Sequence, residues 1–180
     1  LLNHYKQQKD QSVPPKFYLD QLEETISTRT EYSKLRNKAL VELQNLYDTN
    51  ATKLLYVAKL VDTDSSQYIK STPNDILYEN MDLFINGDGS ESNKKRAAKS
   101  FLEISKDTME NIKIRALIKD ALFYRYITTK SNGWIETTNG GMKLGKKPSE
   151  CLEFLKNPEN EETLMTLMYK SRTILGKLRI

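Results

Sequence analysis

A chain of 180 residues, 38% hydrophobic and 29% charged, is long enough for one ordinary domain but has little apolar material to fill it. It has one cysteine and one histidine. The counts exclude an intrachain disulfide framework and a Cys/His zinc site, and because the one histidine, His4, lies in the polar N-terminal tail no internal histidine-based triad is expected. No apolar run approaches the roughly 20 residues that cross a bilayer, so a membrane is not an expected partner.

The net charge of +4 is unevenly spread. Residues 91–180 hold 18 Lys/Arg against 11 Asp/Glu, a net of +7, and residues 1–90 hold 10 against 13, a net of −3. A basic half beside a mildly acidic one suits a polyanionic partner or complementary packing between subunits. The lone thiol fits a reducing, intracellular setting, the cytoplasm or the interior of a virion.

Residues 1–15 read as a polar tail closed by Pro14-Pro15; the opening LLNHYKQQKD is not a signal peptide. A helical region is expected over 16–85, beginning with a long amphipathic helix from Lys16 to Tyr47. Leu19, Leu22 and Ile26 are spaced by three and four. Tyr32, Leu35, Ala39, Leu43 and Leu46 resume that spacing after the polar run 27–31. The interruption argues against a sustained coiled coil and leaves room for local pairing. Leu35, Ala39, Leu43 and Leu46 are therefore candidate interface residues for another protein chain or a second copy of this one.

Asp48-Thr49-Asn50 is a cap or kink before a short apolar helix over 51–61, and 62–67 is a loop. Asn50-Ala51-Thr52 has the form of a glycosylation acceptor, a triplet frequent by chance. Thr72-Pro73-Asn74-Asp75 has the composition of a helix start with Thr72 as the cap. That helix should reach Ile85 with Ile76, Leu77, Met81, Phe84 and Ile85 inward. Residues 86–93 (NGDGSESN) read as a linker to a basic helical domain over 94–180. The linker resembles a calcium loop only loosely, because Glu91 and Ala97 replace its required glycine and bidentate glutamate.

The basic half opens with a helix from Ser92 to Lys106. Thr108 then caps a helix over Met109–Ile127 around which the other segments should pack. Ile114, Leu117, Ile118, Ala121 and Leu122 share one face, and Ile112, Ala116, Phe123 and Ile127 form a second, so contacts on two sides are expected. Residues 127–145 change period, with turn signals at Ser131-Asn132-Gly133 and Asn139-Gly140-Gly141, and predict a β-hairpin insertion. Pro148 opens a helix to Lys156. Asn160 caps a last helix, which Gly176 stops, with Leu164, Leu167, Met168, Ser171, Ile174 and Leu175 inward. The fold class is mainly α, with a β-hairpin insertion and a long N-terminal helix.

Signals for chemistry are few. Gly140 to Lys146 has the spacing of a phosphate-binding loop, but Lys147 stands where a Mg²⁺-binding hydroxyl is needed. Cys151 lies beside Leu152 on an amphipathic helix and reads as a buried, inert thiol. The carboxylates are scattered along polar helix faces, and no cofactor is implied.

The remaining candidate is nucleic-acid contact by Lys94, Lys95, Arg96 and Lys99 on one helix and Lys143, Lys146 and Lys147 beyond the hairpin. Helices followed by a basic hairpin resemble the layout of a winged helix. Trp134 could stack on a base, anchor a protein interface, or pack the hairpin onto neighbouring helices. The expected function is a non-enzymatic assembly or adaptor subunit that binds partner chains through apolar helix faces. Its high Asn, Lys, Ile and Tyr usage suggests an AT-rich genome, and small, helical, non-catalytic chains of this kind are common among phage and mobile-element proteins. The alternative is a nucleic-acid-binding protein.

Overall fold

The computed structural model describes residues 15–62, 68–87 and 90–177. The polar tail, His4 and most of the 62–67 loop lie outside them. Seven helices and one small sheet follow in chain order: α1 (Pro15–Thr49), α2 (Ala51–Val61), α3 (Asn74–Asn86), α4 (Glu91–Ser105), α5 (Met109–Phe123), β1 (Ile127–Thr129), β2 (Ile135–Thr137), β3 (Lys143–Gly145), α6 (Pro148–Lys156) and α7 (Glu161–Lys177). A 3₁₀ turn over Pro158–Asn160 precedes α7. The mainly α architecture with a long N-terminal helix is as the sequence predicts; the hairpin is a three-stranded antiparallel sheet in the order β1-β2-β3.

The helix starts follow local chemistry. Asn50 caps α2, its Oδ1 accepting from the Lys53 amide at 3.0 Å. Thr108 caps α5 by accepting from the Asn111 amide at 3.3 Å. Thr72 does not cap α3: its hydroxyl accepts from the Ile69 amide at 2.9 Å, so it closes the preceding turn, and α3 begins after Pro73. At the other end of the chain, α7 continues through Gly176 to Lys177.

Two hydrophobic cores share one helix. The first gathers Ala39, Leu43 and Leu46 of α1, Leu54 and Val57 of α2, Leu77, Met81 and Ile85 of α3, Ala98, Phe101 and Leu102 of α4, and Ile112 at the start of α5. The second gathers Ile114, Leu117, Ile118 and Ala121 of α5, one residue from each strand (Ile127, Ile135, Leu144), Cys151 and Leu155 of α6, and Leu167 of α7. α5 therefore touches both cores, but not through the second predicted stripe as a whole: only its Ile112 reaches the first core, Phe123 is exposed, and Ile127 leaves the helix for β1 and the second core. The 86–93 segment joins α3 and α4 within the first core, so the passage from one core to the other lies inside α5.

The expected end of α5 was four residues too late. The chain leaves the helix after Phe123, which is exposed, and Arg125 adopts a left-handed conformation (φ 58°). The Arg125 amide bonds to the Leu122 carbonyl at 3.2 Å and the Tyr126 amide to the Ala121 carbonyl at 2.8 Å. This is the Schellman pattern, normally built on glycine. Its turn delivers Ile127 to β1, where it pairs with Thr137. Gly145 ends β3 hard against α6: a Cβ there would lie 2.6 Å from Glu150 Cβ and 3.0 Å from the Cys151 nitrogen.

Leu43 is fully buried and Val41, on the same helix, is 71% exposed. Leu43→Ala should cost about 2–5 kcal/mol, from lost burial and the cavity left behind, and Leu43→Asp should prevent folding. Val41→Asp should shift stability by no more than about 0.5 kcal/mol. Urea titrations of the three variants check this; a folded, near-native Leu43→Asp chain would refute the placement of α1 in the core.

Candidate functional site

The structure separates the residues that sequence reasoning grouped as sites. Leu43, Ala39 and Leu46 are buried inside the chain itself, and Leu35 packs against the same core. α3 and α4 pack along that stripe of α1, over which Leu35 is only partly buried. Beyond it the helix continues toward its N-terminus with every residue from 25 to 31 exposed. Glu31, the last of these, meets Lys95 at 2.8 Å. Tyr32 and Arg36 then reach the end of α3, with Arg36 Nε 2.5 Å from Asn86 Oδ1.

The basic residues fall into two groups on different cores. On α4, Lys95 holds Glu31, Lys99 lies 3.7 Å from Glu103, and Lys94 packs over Gly87 beside exposed Arg96. Around the sheet, Lys143 and Lys146 place their ammonium groups 5.1 and 5.4 Å from the centre of the half-buried Trp134 ring. Lys147 is exposed at the N-cap of α6. Between the groups, α5 buries Ile112, Ile114, Ala116, Leu117, Ile118, Asp120 and Ala121, so it has no long free face for a nucleic-acid groove.

The glycine-rich stretch does not form a phosphate loop. Lys143–Gly145 is extended in β3, and the Lys146 amide donates to Glu150 Oε2 at 2.7 Å. A carboxylate of the chain thus already sits where an anion would be held at the start of α6. Cys151 is fully buried, and its thiol is pushed up to about 11, first by burial and then by the nearby Glu150 charge. It has almost no thiolate at neutral pH. Among the described residues no group of His, Cys, Asp and Glu is placed to hold a metal ion, and no helix is long and apolar enough to cross a membrane.

A different site lies between the cores. A cavity of about 250 Å³ opens between α2, α5 and α7, with apolar walls from Leu55, Ile114, Leu117, Leu164 and Met168. On its lining lie the Lys59–Asp120 ion pair, 2.6 Å long and almost wholly buried, and Ser171, 6% exposed, whose Oγ has no hydrogen-bond partner. Exposed Lys70, Glu110 and Lys113 stand at the rim. Next to Asp120, Lys119 donates to the carbonyls of Lys59 (2.8 Å) and Asp62. It satisfies acceptors that the C-terminal end of α2 would otherwise leave open.

Sequence reasoning missed this site because Lys59 falls in an apolar helix and Asp120 in what reads as a narrow solvated strip. The available signal was a charged residue at each of two positions whose neighbours one turn earlier are apolar or aromatic, Leu55 and Tyr56 before Lys59 and Ala116 and Leu117 before Asp120.

The chain matches no family model, no curated protein and no solved structure.

Breaking the ion pair from one side leaves a buried charge without its partner. Asp120→Asn should therefore cost about 3–5 kcal/mol, while Lys59→Met/Asp120→Leu should recover most of that loss. Denaturant midpoints of the single and double variants test this. A single-variant loss below about 1 kcal/mol, the range of an exposed pair, would contradict the burial described.

Proposed function

We propose that the chain is a non-enzymatic assembly or adaptor subunit that docks another protein chain on the N-terminal half of α1. The observation that carries this reading is the continuation of α1 beyond its own core. The helix is 35 residues long, about 52 Å at 1.5 Å per residue, yet its residues 25–31 are all exposed. Ile26, within that stretch, is 54% exposed, and the sequence carries the spacing Leu19, Leu22, Ile26 through it.

Thr25, Ile26, Ser27, Thr28 and Thr30 are mediocre helix formers. A helix of that composition gains most of its stability from packing an apolar stripe against something else. A helix of a second chain supplies that packing, and a second copy of this chain is the simplest source.

Sedimentation of the full chain and of Ile26→Asp is the test. The full chain should associate with rising concentration. The variant should remain monomeric with an unchanged thermal midpoint, since Ile26 lies outside both cores. A full chain that stays monomeric throughout, with the same hydrodynamics as the variant, would remove self-assembly through this arm.

The gathering of Lys143 and Lys146 around Trp134 favours a second reading, contact with nucleic-acid phosphates through the sheet. The ammonium groups lie over the indole, so the cluster suits phosphates better than base stacking. Replacing Lys143, Lys146 and Lys147 by Ala would then reduce the salt dependence of DNA binding by roughly two to three units, at about 0.9 per phosphate contact. Assembly through α1 would leave association unchanged in that variant.

A further inference from the structure

We infer that the cavity between α2, α5 and α7 binds a small, uncharged, mostly apolar molecule carrying one carbonyl or hydroxyl oxygen. Three features at one place define this class. The walls made by Leu55, Ile114, Leu117, Leu164 and Met168 accept a hydrocarbon or aromatic body and offer it no polar partner. Such a body is driven in by the apolar surface it removes from water.

The polar groups lining the cavity have donors to spare. Ser171 is buried with its hydroxyl unpartnered, a state native proteins rarely leave uncompensated. The Lys59 ammonium has three N–H groups and gives one to Asp120 at 2.6 Å. One ligand oxygen that accepts from Ser171 gives the buried hydroxyl its missing partner, with the spare Lys59 N–H groups on the same lining.

Charge decides between a neutral and an anionic ligand. Lys59 and Asp120 already cancel each other, so a carboxylate brought to the same depth would be a third buried charge, with Lys70 and Lys113 out at the exposed rim beside Glu110. A neutral oxygen carries no such penalty. A separate groove of about 430 Å³ shares Leu55, Tyr56 and Met168 with the 250 Å³ cavity and lies beside it.

The full chain, with isotope-labelled methyl groups, is titrated with 1-hexanol, hexanoate and hexane. Saturable shifts of the Leu55, Ile114, Leu117 and Met168 methyl signals are expected with 1-hexanol, with hexanoate at least about tenfold weaker, the lower bound for a buried charge with no counter-ion. Ser171→Ala should weaken 1-hexanol by about three- to tenfold, the value of one hydrogen bond, and leave hexane unaffected. The same substitution should not lower the denaturation midpoint, because it removes a hydroxyl that has no partner to lose.

Leu117→Trp, which fills the cavity, should abolish binding of all three compounds; if it misfolds, the Ser171→Ala comparison still decides. The absence of saturable shifts, equal affinity for hexane and 1-hexanol, hexanoate binding as tightly as 1-hexanol, or indifference to Ser171→Ala would each overturn the assignment.

Discussion

Lys119 and Asp120, adjacent on α5, bind the two halves of the molecule to each other through α2. Asp120 neutralises Lys59 from the side, and Lys119 closes the carbonyls of Lys59 and Asp62 at the end of that helix. A helix terminus buried without such donors is costly, and a buried lysine without a counter-charge is costlier. α2 and α5 therefore depend on each other, and every other helix packs on one of them or on a helix that does.

This arrangement explains how a chain only 38% hydrophobic supports two cores. α5 serves both. Its Ile112 completes the first core, and its Ile114, Leu117, Ile118 and Ala121 begin the second, so one helix supplies apolar surface twice. The polar surplus lies on the outward sides of α1 and α4, around the sheet, and along the exposed stretch of α1. Burial is concentrated, and the rest of the chain is left to solvent or partners.

Element type was legible wherever periodicity or capping chemistry was strong: the long α1, the caps Asn50 and Thr108, the two-sided α5, Pro148 at the start of α6. The end of α5 was not legible, because its left-handed turn is made by Arg125, a residue that carries no turn signal in a sequence. The interface assigned to Leu35, Ala39, Leu43 and Leu46 rested on a correct stripe. A stripe shows that a face is covered and says nothing about whether the same chain covers it. The cavity escaped for a related reason: Lys59, Asp120 and Ser171 are distant in sequence, and only the crossing of α2, α5 and α7 brings them together.

The ion pair also determines where α5 can sit along its own length. A slide of one turn, about 5.4 Å, would put Ala116 or Tyr124 opposite Lys59 in place of Asp120. Neither carries the negative charge that balances a buried ammonium, and the Lys119 cap would be lost in the same step. Apolar packing alone tolerates such slippage, since the stripe of α5 repeats at nearly the same period. The pair removes that degeneracy and gives α5 a single axial phase against α2.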